Sequence, residues 1–221
     1  MISESIAVAI KDLRVERRSK VGLNQVLPFS LVVVLLFGFS LNTQSRVLTT
    51  IAPGLFWVAI TFSSLYLISR TMRLERENGA LDGLFLLGIS SVSIFIGKLL
   101  ALLLTIFVLE VIQIAAVVIL FSVHFESIAL ICISTILATV GIGTVGLIYG
   151  SLASDDRLGE SLVPLLVLPI LAPIIIAATN CWSDALGNHG GLGDPWLVLL
   201  TVFAIVFLTV GVSSFGAILE D

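Results

Sequence analysis

Charged residues are scarce in this chain of 221 residues, and their scarcity excludes an ordinary soluble protein. Only 12% of the residues are Asp, Glu, Lys or Arg, while 58% are hydrophobic and the mean hydropathy is +1.17. Soluble domains carry about 25% charged residues. The uncharged runs instead reach the roughly 20 residues that a membrane-spanning helix requires. The sequence therefore predicts an all-α integral membrane protein.

Cysteines and nucleotide-binding motifs are also lacking. Cys132 and Cys181 lie far apart and indicate neither a disulfide framework nor a metal site. A phosphate-binding loop has a glycine five residues before its Gly-Lys pair, but Val92 stands at that position before Gly97-Lys98. The net charge of −4 is divided among separate loops and indicates no nucleic-acid partner. We expect a chain that is not an enzyme, with no catalytic residue, metal or bound cofactor of its own.

Residues 1–22 form a basic segment in which apolar residues recur at helical spacing. A helix of this kind lies in the membrane interface with its cations towards anionic headgroups, and a solvated basic tail is the alternative. The apolar positions are Ile2, Ile6, Ile10 and Leu13, and the cations are Lys11, Arg14, Arg17, Arg18 and Lys20. We predict an N-terminal amphipathic helix at the membrane surface.

Residues 23–221 are predicted to form one membrane domain with six transmembrane helices. Each predicted span is a run of apolar length bounded by polar residues. The spans are expected at Val21–Ser45, Val47–Ser69, Val92–Phe121, Ser127–Ser154, Ser161–Ser183 and Pro195–Leu219. Small residues recur along the fourth span and predict close helix packing rather than a ligand role; they are Thr139, Gly143, Gly146 and Gly150.

Lysine and arginine are distributed unevenly between the two sides of this predicted topology. The N-terminus, the segment 70–90, the turn at Arg157 and the C-terminus share the side that receives nearly all cations, whereas Arg46 stands alone on the other. Cations favour the cytoplasmic side of a membrane. We therefore predict cytoplasmic termini and a periplasmic loop 181–195, anchored by interfacial Trp182 and Trp196. A bacterial inner membrane is favoured over an organellar one.

Three polar residues interrupt the third predicted span. Lys98 is expected to snorkel to the headgroups. Glu110 and Gln113 lie one turn apart at a depth where polar groups normally face protein or a water-filled cavity. They are candidates for a transport path or proton site. The alternatives are an interhelical hydrogen bond and a carboxylate that reaches the far interface.

The longest polar interruption is the segment 70–84, between the second and third spans. Glu75 to Glu77, followed by Gly79, are predicted to form a short helix that turns sharply, with Leu81 and Leu84 exposed. Because the chain has no nucleotide motif, this helix is a candidate contact for a separate ATPase subunit. An ordinary positively charged cytoplasmic loop is the alternative.

Several strings in the sequence resemble a known transporter family. Residues 75–82 (ERENGALD) and Gly97-Lys98 resemble the connection between the second and third helices in permeases of ABC-2-type exporters. Residues 51–59 (IAPGLFWVA) and 168–174 (LPILAPI) are similar to the haem exporter protein B family of the cytochrome c maturation system. The length and the predicted topology also agree, so the resemblance extends over essentially the whole chain.

This resemblance implies an ABC-2-type (type V-like) half-transporter with an elbow helix and six spans. It implies pairing with a second copy, with a separate ATP-binding subunit, and with a haem-handling membrane subunit and a small accessory subunit. ATP bound by the partner would drive haem export, or release of a haem-loaded chaperone, on the periplasmic side. Haem is then a substrate rather than a resident cofactor, and the remaining partners are membrane lipids.

The resemblance also assigns roles to residues of the polar segment. It implies a coupling helix, within 70–90, that docks on the ATPase subunit through Arg73, Glu75, Glu77, Gly79, Leu81 and Asp82. Gly88 departs from the proline expected ahead of the third span, so the end of this element is left open. No haem ligand is designated. His124 and His189 lie in the outer loops, where each is either an axial haem ligand or a solvated polar residue.

Three other functions remain open at this point. The chain could be an ABC-2 permease for a lipid, polysaccharide or drug, a stand-alone carrier that uses Glu110 as a proton site, or a scaffold that holds partner subunits without transporting anything.

Overall fold

Helices account for nearly all the regular structure in the computed structural model of this chain, which describes residues 1–19, 22–40, 45–77, 83–84, 86–152, 159–187 and 191–220. No strand occurs within these ranges. The helices are α1 (Ile2–Ser19), a π-helix (Gly22–Val26), α2 (Leu27–Ser40), α3 (Ser45–Glu77), α4 (Ser91–Phe121), α5 (Ile128–Leu152), α6 (Gly159–Leu186) and α7 (Pro195–Glu220). The predicted all-α class is confirmed.

Five of these helices, α3 to α7, are long and apolar enough to cross a membrane. A sixth span is reached when α1 and the apolar segment Asn24–Ser40 are counted together as one bent unit. The structure therefore allows five or six spans, and the predicted number, six, is the higher of these two. The first apolar segment is the short one, with a five-residue π-helix followed by 14 residues of α-helix.

Large apolar side chains are exposed on the outer faces of these helices. Leu36 on α2 is 63% exposed, Leu104 on α4 is 52% exposed and Val202 on α7 is 52% exposed. Lipid tails are as apolar as leucine, so such faces carry no cost in a bilayer. This pattern supports the membrane assignment more directly than composition does.

Helix α5 lies at the centre and packs against α3, α4, α6 and α7. Its small residues permit this: a Cβ atom at Gly146 would collide with Ile68 of α3, and one at Gly150 would lie 3.0 Å from both Ile68 and Met72. Small side chains let helix backbones approach closely where lipid provides no hydrophobic drive. The structure therefore agrees with the packing role predicted for the small residues of the fourth span.

An aromatic cluster closes the core at the end opposite the polar segment. Phe56 stacks on Trp182 with ring centroids 4.1 Å apart, and Trp57 and Phe125 meet Trp182 edge-on. Trp182 is only 1% exposed, so its predicted role as an interfacial anchor is wrong. It is buried because α6 continues to Leu186 and carries the indole between α3 and α5, where its N–H donates to Thr135 Oγ1 at 3.2 Å.

Candidate functional site

The polar segment begins as a continuation of α3 rather than as a separate short helix. The second span was predicted to end at Ser69, but α3 runs without a break to Glu77. Arg, Met, Leu and Glu are strong helix formers, and neither glycine nor proline occurs between Gly54 and Gly79 to end the helix. Residues 70–77, here called the α3 arm, therefore extend the span by about 12 Å at 1.5 Å per residue.

The connection after the α3 arm is only partly described. Gly79, Leu81 and Asp82 lie outside the described residues, and so does the side chain of Glu77. Arg73 is described and exposed. The docking role predicted for these residues therefore stays a prediction.

The chain returns to α4 through a turn around Gly88. Leu84 is buried, contrary to the prediction that it is exposed, whereas Leu86 and Leu87 are 88% and 76% exposed. Leu84 belongs to the buried apolar core of the described helices. Gly88 has a φ of +74°, and proline is fixed near −65°, so the glycine stands in place of the expected proline at a backbone conformation that proline cannot adopt.

Four charged residues meet where the α3 arm passes α1 and α4. Lys11 Nζ lies 3.0 Å from Glu75 Oε1 and 3.0 Å from Asp12 Oδ1. Lys98 Nζ lies 3.4 Å from Asp12 Oδ2 and pairs directly with Glu75 Oε2. Positive and negative groups thus alternate around a closed ring, which we call the ion cluster. It joins three helices that are distant in sequence.

The ion cluster is mostly buried. The side chain of Lys98 is 1% exposed, that of Glu75 is 7% exposed and that of Asp12 is 10% exposed. Removal of one member of a buried pair typically costs 3–5 kcal/mol, because an uncompensated charge remains. Burial by itself lowers the pKa of Lys11, but the carboxylates of Glu75 and Asp12 outweigh it and raise the pKa overall. The cluster therefore favours the charged form of Lys11.

The prediction that Lys98 snorkels to the headgroups is wrong, and Asp12 explains why. Helix α1 covers the first turns of α4 and brings Asp12 over the ammonium group, so Lys98 meets carboxylates rather than water. Lys98 and Asp12 were not predicted from the sequence as members of a site. The available signal was that a lysine inside an apolar run needs a partner of opposite charge.

Helix α1 lies directly against α4. A Cβ atom at Gly97 would come within 2.6 Å of the Ser5 carbonyl oxygen and 2.7 Å of Val8 Cβ. Ser93 Oγ donates to the Glu4 carboxylate at 2.9 Å, and this hydrogen bond, with the nearby N-terminus, lowers the pKa of Glu4. Glycine at position 97 is thus what allows α1 to reach the depth at which Asp12 meets Lys98.

Beside the ion cluster the helices leave space. A cavity of about 240 Å³ lies between α1, the α3 arm and α4, and apolar side chains such as Leu67, Leu102 and Leu147 complete its walls. A second ion pair between α1 and the α3 arm lies at the edge of this cavity, where Arg70 is 3.7 Å from Glu16. Charged contacts therefore hold the α3 arm beside a cavity, and the cavity leaves the arm space to move.

Glu110 and Gln113 are both fully buried on α4, but they bond to different helices. Glu110 Oε1 lies 2.6 Å from Thr139 Oγ1 on α5, while Gln113 exchanges two hydrogen bonds with Ser30 on α2, at 3.0 and 3.3 Å. Among the described residues Glu110 Oε2 has no hydrogen-bond partner. The two residues therefore link α4 to separate neighbours, and the role of Glu110 in a transport path stays a prediction.

The outer histidines form no recognisable haem or metal site in the described part of the chain. His124 is exposed between α4 and α5, with Nδ1 3.1 Å from the Ser122 carbonyl oxygen. His189 lies outside the described residues. No group of three or more His, Cys, Asp or Glu side chains that could hold a metal occurs within the described ranges.

Comparison with known proteins gives a consistent relationship. A family profile described as CcmB protein matches residues 3–220. The Heme exporter protein B of Paracoccus denitrificans is 27% identical over 211 residues, which cover 96% of this chain and 95% of that protein. The Pseudomonas aeruginosa protein of that name is 23% identical over 205 residues (92% of each chain), and the Escherichia coli K12 protein is 34% identical over 90 residues (41% of each). Because the profile covers nearly its whole length, the chain belongs to the CcmB protein family.

Proposed function

We propose that this chain is the membrane permease subunit of an ABC exporter that handles haem during cytochrome c maturation. The support is its membership of the family, the name of its relatives, Heme exporter protein B, and a described fold composed of apolar helices. A separate subunit hydrolyses ATP, and haem is the cargo. The complex also contains a haem-handling membrane subunit, a small accessory subunit and a second copy of this chain.

The observation that carries the proposal is the ion cluster. An ATPase subunit that docks on the connection after Glu77 would push on the end of the α3 arm. Glu75 links that arm to Lys11 on α1 and to Lys98 on α4. A displacement of the arm therefore reaches two further helices through charges whose separation is costly. This is how a chain without a nucleotide site can respond to ATP hydrolysis elsewhere.

The six coupling residues then divide into two groups. Glu75 points into the protein, so its proposed role is to hold the arm rather than to contact the ATPase subunit. Arg73, Glu77, Gly79, Leu81 and Asp82 remain the proposed docking residues. Leu86 and Leu87, which are exposed at the turn before α4, add an apolar surface.

The orientation follows from charge. The α3 arm and α1 carry most of the cations, so we place them, with both termini, on the cytoplasmic side of the inner membrane. The aromatic cluster around Trp182 then lies near the periplasmic face, where the cargo is released.

A stand-alone carrier with a proton site is the second candidate, and Glu110 is the observation in its favour. The side chain is 0% exposed and its Oε2 has no partner among the described residues. Such a group is unusual at membrane depth and is often functional. The carrier requires no ATPase subunit, so the two candidates differ in what they bind.

Complementation tests the proposal. The full chain is expressed in a bacterium that lacks its own subunit of this type, and covalent haem in c-type cytochromes is measured together with co-purification of the ATPase subunit. We expect the chain to restore both. Correct membrane insertion with no bound ATPase subunit would contradict the proposal and favour the carrier, whereas bound ATPase without haem-loaded cytochrome would indicate a different cargo.

A further inference from the structure

A second cavity, of about 600 Å³, lies between α3 and the segment that contains the π-helix and α2. Phe29 of α2 and Phe62 and Tyr66 of α3 line it and are about half exposed, at 56%, 47% and 48%. The cavity is therefore a groove that opens sideways on the outer surface of the helices. In a membrane this surface faces lipid, and we call it the α2–α3 groove.

The groove is apolar along its length and cationic at one end. Phe62 and Tyr66 are followed, on the same wall of α3, by Arg70 and Arg73. At 1.5 Å per residue the distance from Phe62 to Arg73 along the helix axis is about 16 Å. This arrangement matches a molecule with a long apolar part and an anionic head. Arg70 lies 3.7 Å from Glu16, and its guanidinium has five N–H donors, more than that contact uses.

Ser63 supplies a second, independent sign of a ligand. It lines the groove, is only 1% exposed, and its hydroxyl has no hydrogen-bond partner among the described residues. Thr61 and Thr71 of α3 are satisfied within the helix, at 2.7 Å to the Trp57 carbonyl and 2.9 Å to the Leu67 carbonyl. Ser64 also has no partner among the described residues, but of these two serines only Ser63 lines the groove. A buried donor without a partner calls for an acceptor that the protein does not provide.

The opposite wall of the groove is unusual as well. Gln25 and Val26 belong to the π-helix, and Tyr66 donates across the groove to Gln25 Oε1 at 3.0 Å. Short π-helical stretches are rare and frequent at functional sites. Here the local geometry places a polar group opposite α3, at the boundary between the aromatic and the cationic parts of the groove.

We propose that the α2–α3 groove binds an anionic phospholipid of the surrounding leaflet. The acyl chain lies along Phe29 and Phe62, an ester carbonyl accepts from Ser63, and the phosphate meets Arg70 and Arg73. Arginine forms strong, directional hydrogen bonds with phosphate, and basic pockets between membrane helices are known sites for acidic headgroups. This inference does not require the proposed function, but it gives Arg73 a lipid contact in addition to the docking contact proposed above.

Haem has a similar outline, with an apolar ring and two carboxylates, but the observations favour the lipid. Haem iron is held in proteins by His, Cys, Met or Tyr. Of these only Tyr66 is present among the described lining residues, and its hydroxyl is engaged with Gln25. A groove that opens sideways to the bilayer is filled by the lipids that diffuse past it.

Photo-crosslinking tests this site. The full chain, in its complex, is reconstituted in vesicles that contain a trace of phosphatidylglycerol with a photoreactive acyl chain, and labelled peptides are mapped. We expect labelling of the peptide that contains Phe62 and Tyr66, with at least a fivefold loss in the double variant R70Q/R73Q. The matched control is R14Q/R17Q, which removes two cations from α1 outside the groove.

Ser69 also lines the groove. A second variant, S69F, therefore fills the groove without changing its charge and should reduce labelling to a similar extent. Equal labelling by photoreactive phosphatidylcholine, or equal loss in R14Q/R17Q, would overturn the proposal, because either shows that the groove does not select an anionic headgroup. Displacement of the photolipid by equimolar haem would also overturn it and assign the groove to haem. Disulfide cross-linking between two copies of the variant F62C, absent from the unsubstituted chain with its exposed Cys132, would overturn it too and assign the groove to an interface between copies.

Discussion

Glu75, in the last turn of α3, and Lys98, near the start of α4, form a buried ion pair that Asp12 and Lys11 of α1 close into a ring. The pair turns a polar segment that would otherwise be a loop into part of the membrane domain. Together with Lys11 and Asp12, it also links α1, the α3 arm and α4 through one set of ion pairs.

Loss of the Lys98 charge should destabilise the protein strongly. K98M leaves Glu75 and Asp12 facing each other with only Lys11 between them, and we expect a cost of about 3–5 kcal/mol. The double variant E75Q/K98M keeps the Lys11–Asp12 pair and should recover most of the loss, because no buried charge is then uncompensated. Thermal unfolding of the detergent-solubilised chain measures both. The control R17M, at a cation outside the ion cluster, should change stability by less than about 0.5 kcal/mol.

Glu75 and Glu77 should respond differently to charge reversal. E75K places a third cation in the ion cluster and should impair folding, whereas E77K should fold normally and release the ATPase subunit on co-purification. Measurement of chain abundance in the membrane separates the two effects. If E77K retains the ATPase subunit at normal stoichiometry, the docking assignment is wrong.

Gly97→Ala should loosen helix α1. The added methyl group meets the Ser5 carbonyl oxygen and Val8 at distances that backbone atoms cannot tolerate, and overpacking of this kind costs about 1–3 kcal/mol. We expect faster protease cleavage within α1 and a lower unfolding temperature. Gly193→Ala is the matched control, because a Cβ atom at that position would have no neighbouring atom within 4 Å among the described residues. Identical protection of α1 in both variants would show that the close approach is unimportant.

Glu110 should tolerate a neutral isostere if its role is to join α4 to α5. E110Q retains an oxygen that can accept from Thr139, so unfolding and cytochrome maturation should change little. T139V removes the hydrogen bond and should cost about 0.6–1.7 kcal/mol, the range for hydrogen bonds between membrane helices. Loss of maturation in E110Q, with the ATPase subunit bound and active, would instead assign Glu110 to the transport path.

Much of the fold was accessible from the sequence because apolar run length and helix formation are local properties. Five of the spans, the all-α class and the packing role of the fourth span's small residues all follow from them. Two errors share one cause, which is that the partners of a side chain could not be located from the sequence. Lys98 was placed at the headgroups because Asp12 had no predicted position, and Trp182 was placed at the interface because its neighbours Phe56 and Thr135 lie on other helices.

The candidate site was predicted less well than the fold. The resemblance drew attention to Glu75, but its role depends on Lys11, Asp12 and Lys98, which lie on two other helices. No periodicity within one helix reveals such a ring. The extension of α3 beyond Ser69 could have been predicted, since strong helix formers continue to Glu77 without glycine or proline.

The central claim, that charges in the ion cluster transmit movement of the α3 arm, is tested most directly by charge reversal around the ring. K11E/D12K and E75K/K98E each place like charges side by side, while the quadruple variant K11E/D12K/E75K/K98E restores the alternation of charges. The measurement is covalent haem in c-type cytochromes, with membrane abundance of the chain as control. The account predicts strong loss in both double variants and substantial recovery in the quadruple variant. A quadruple variant that is present in the membrane at normal levels, but no more active than either double variant, would contradict it.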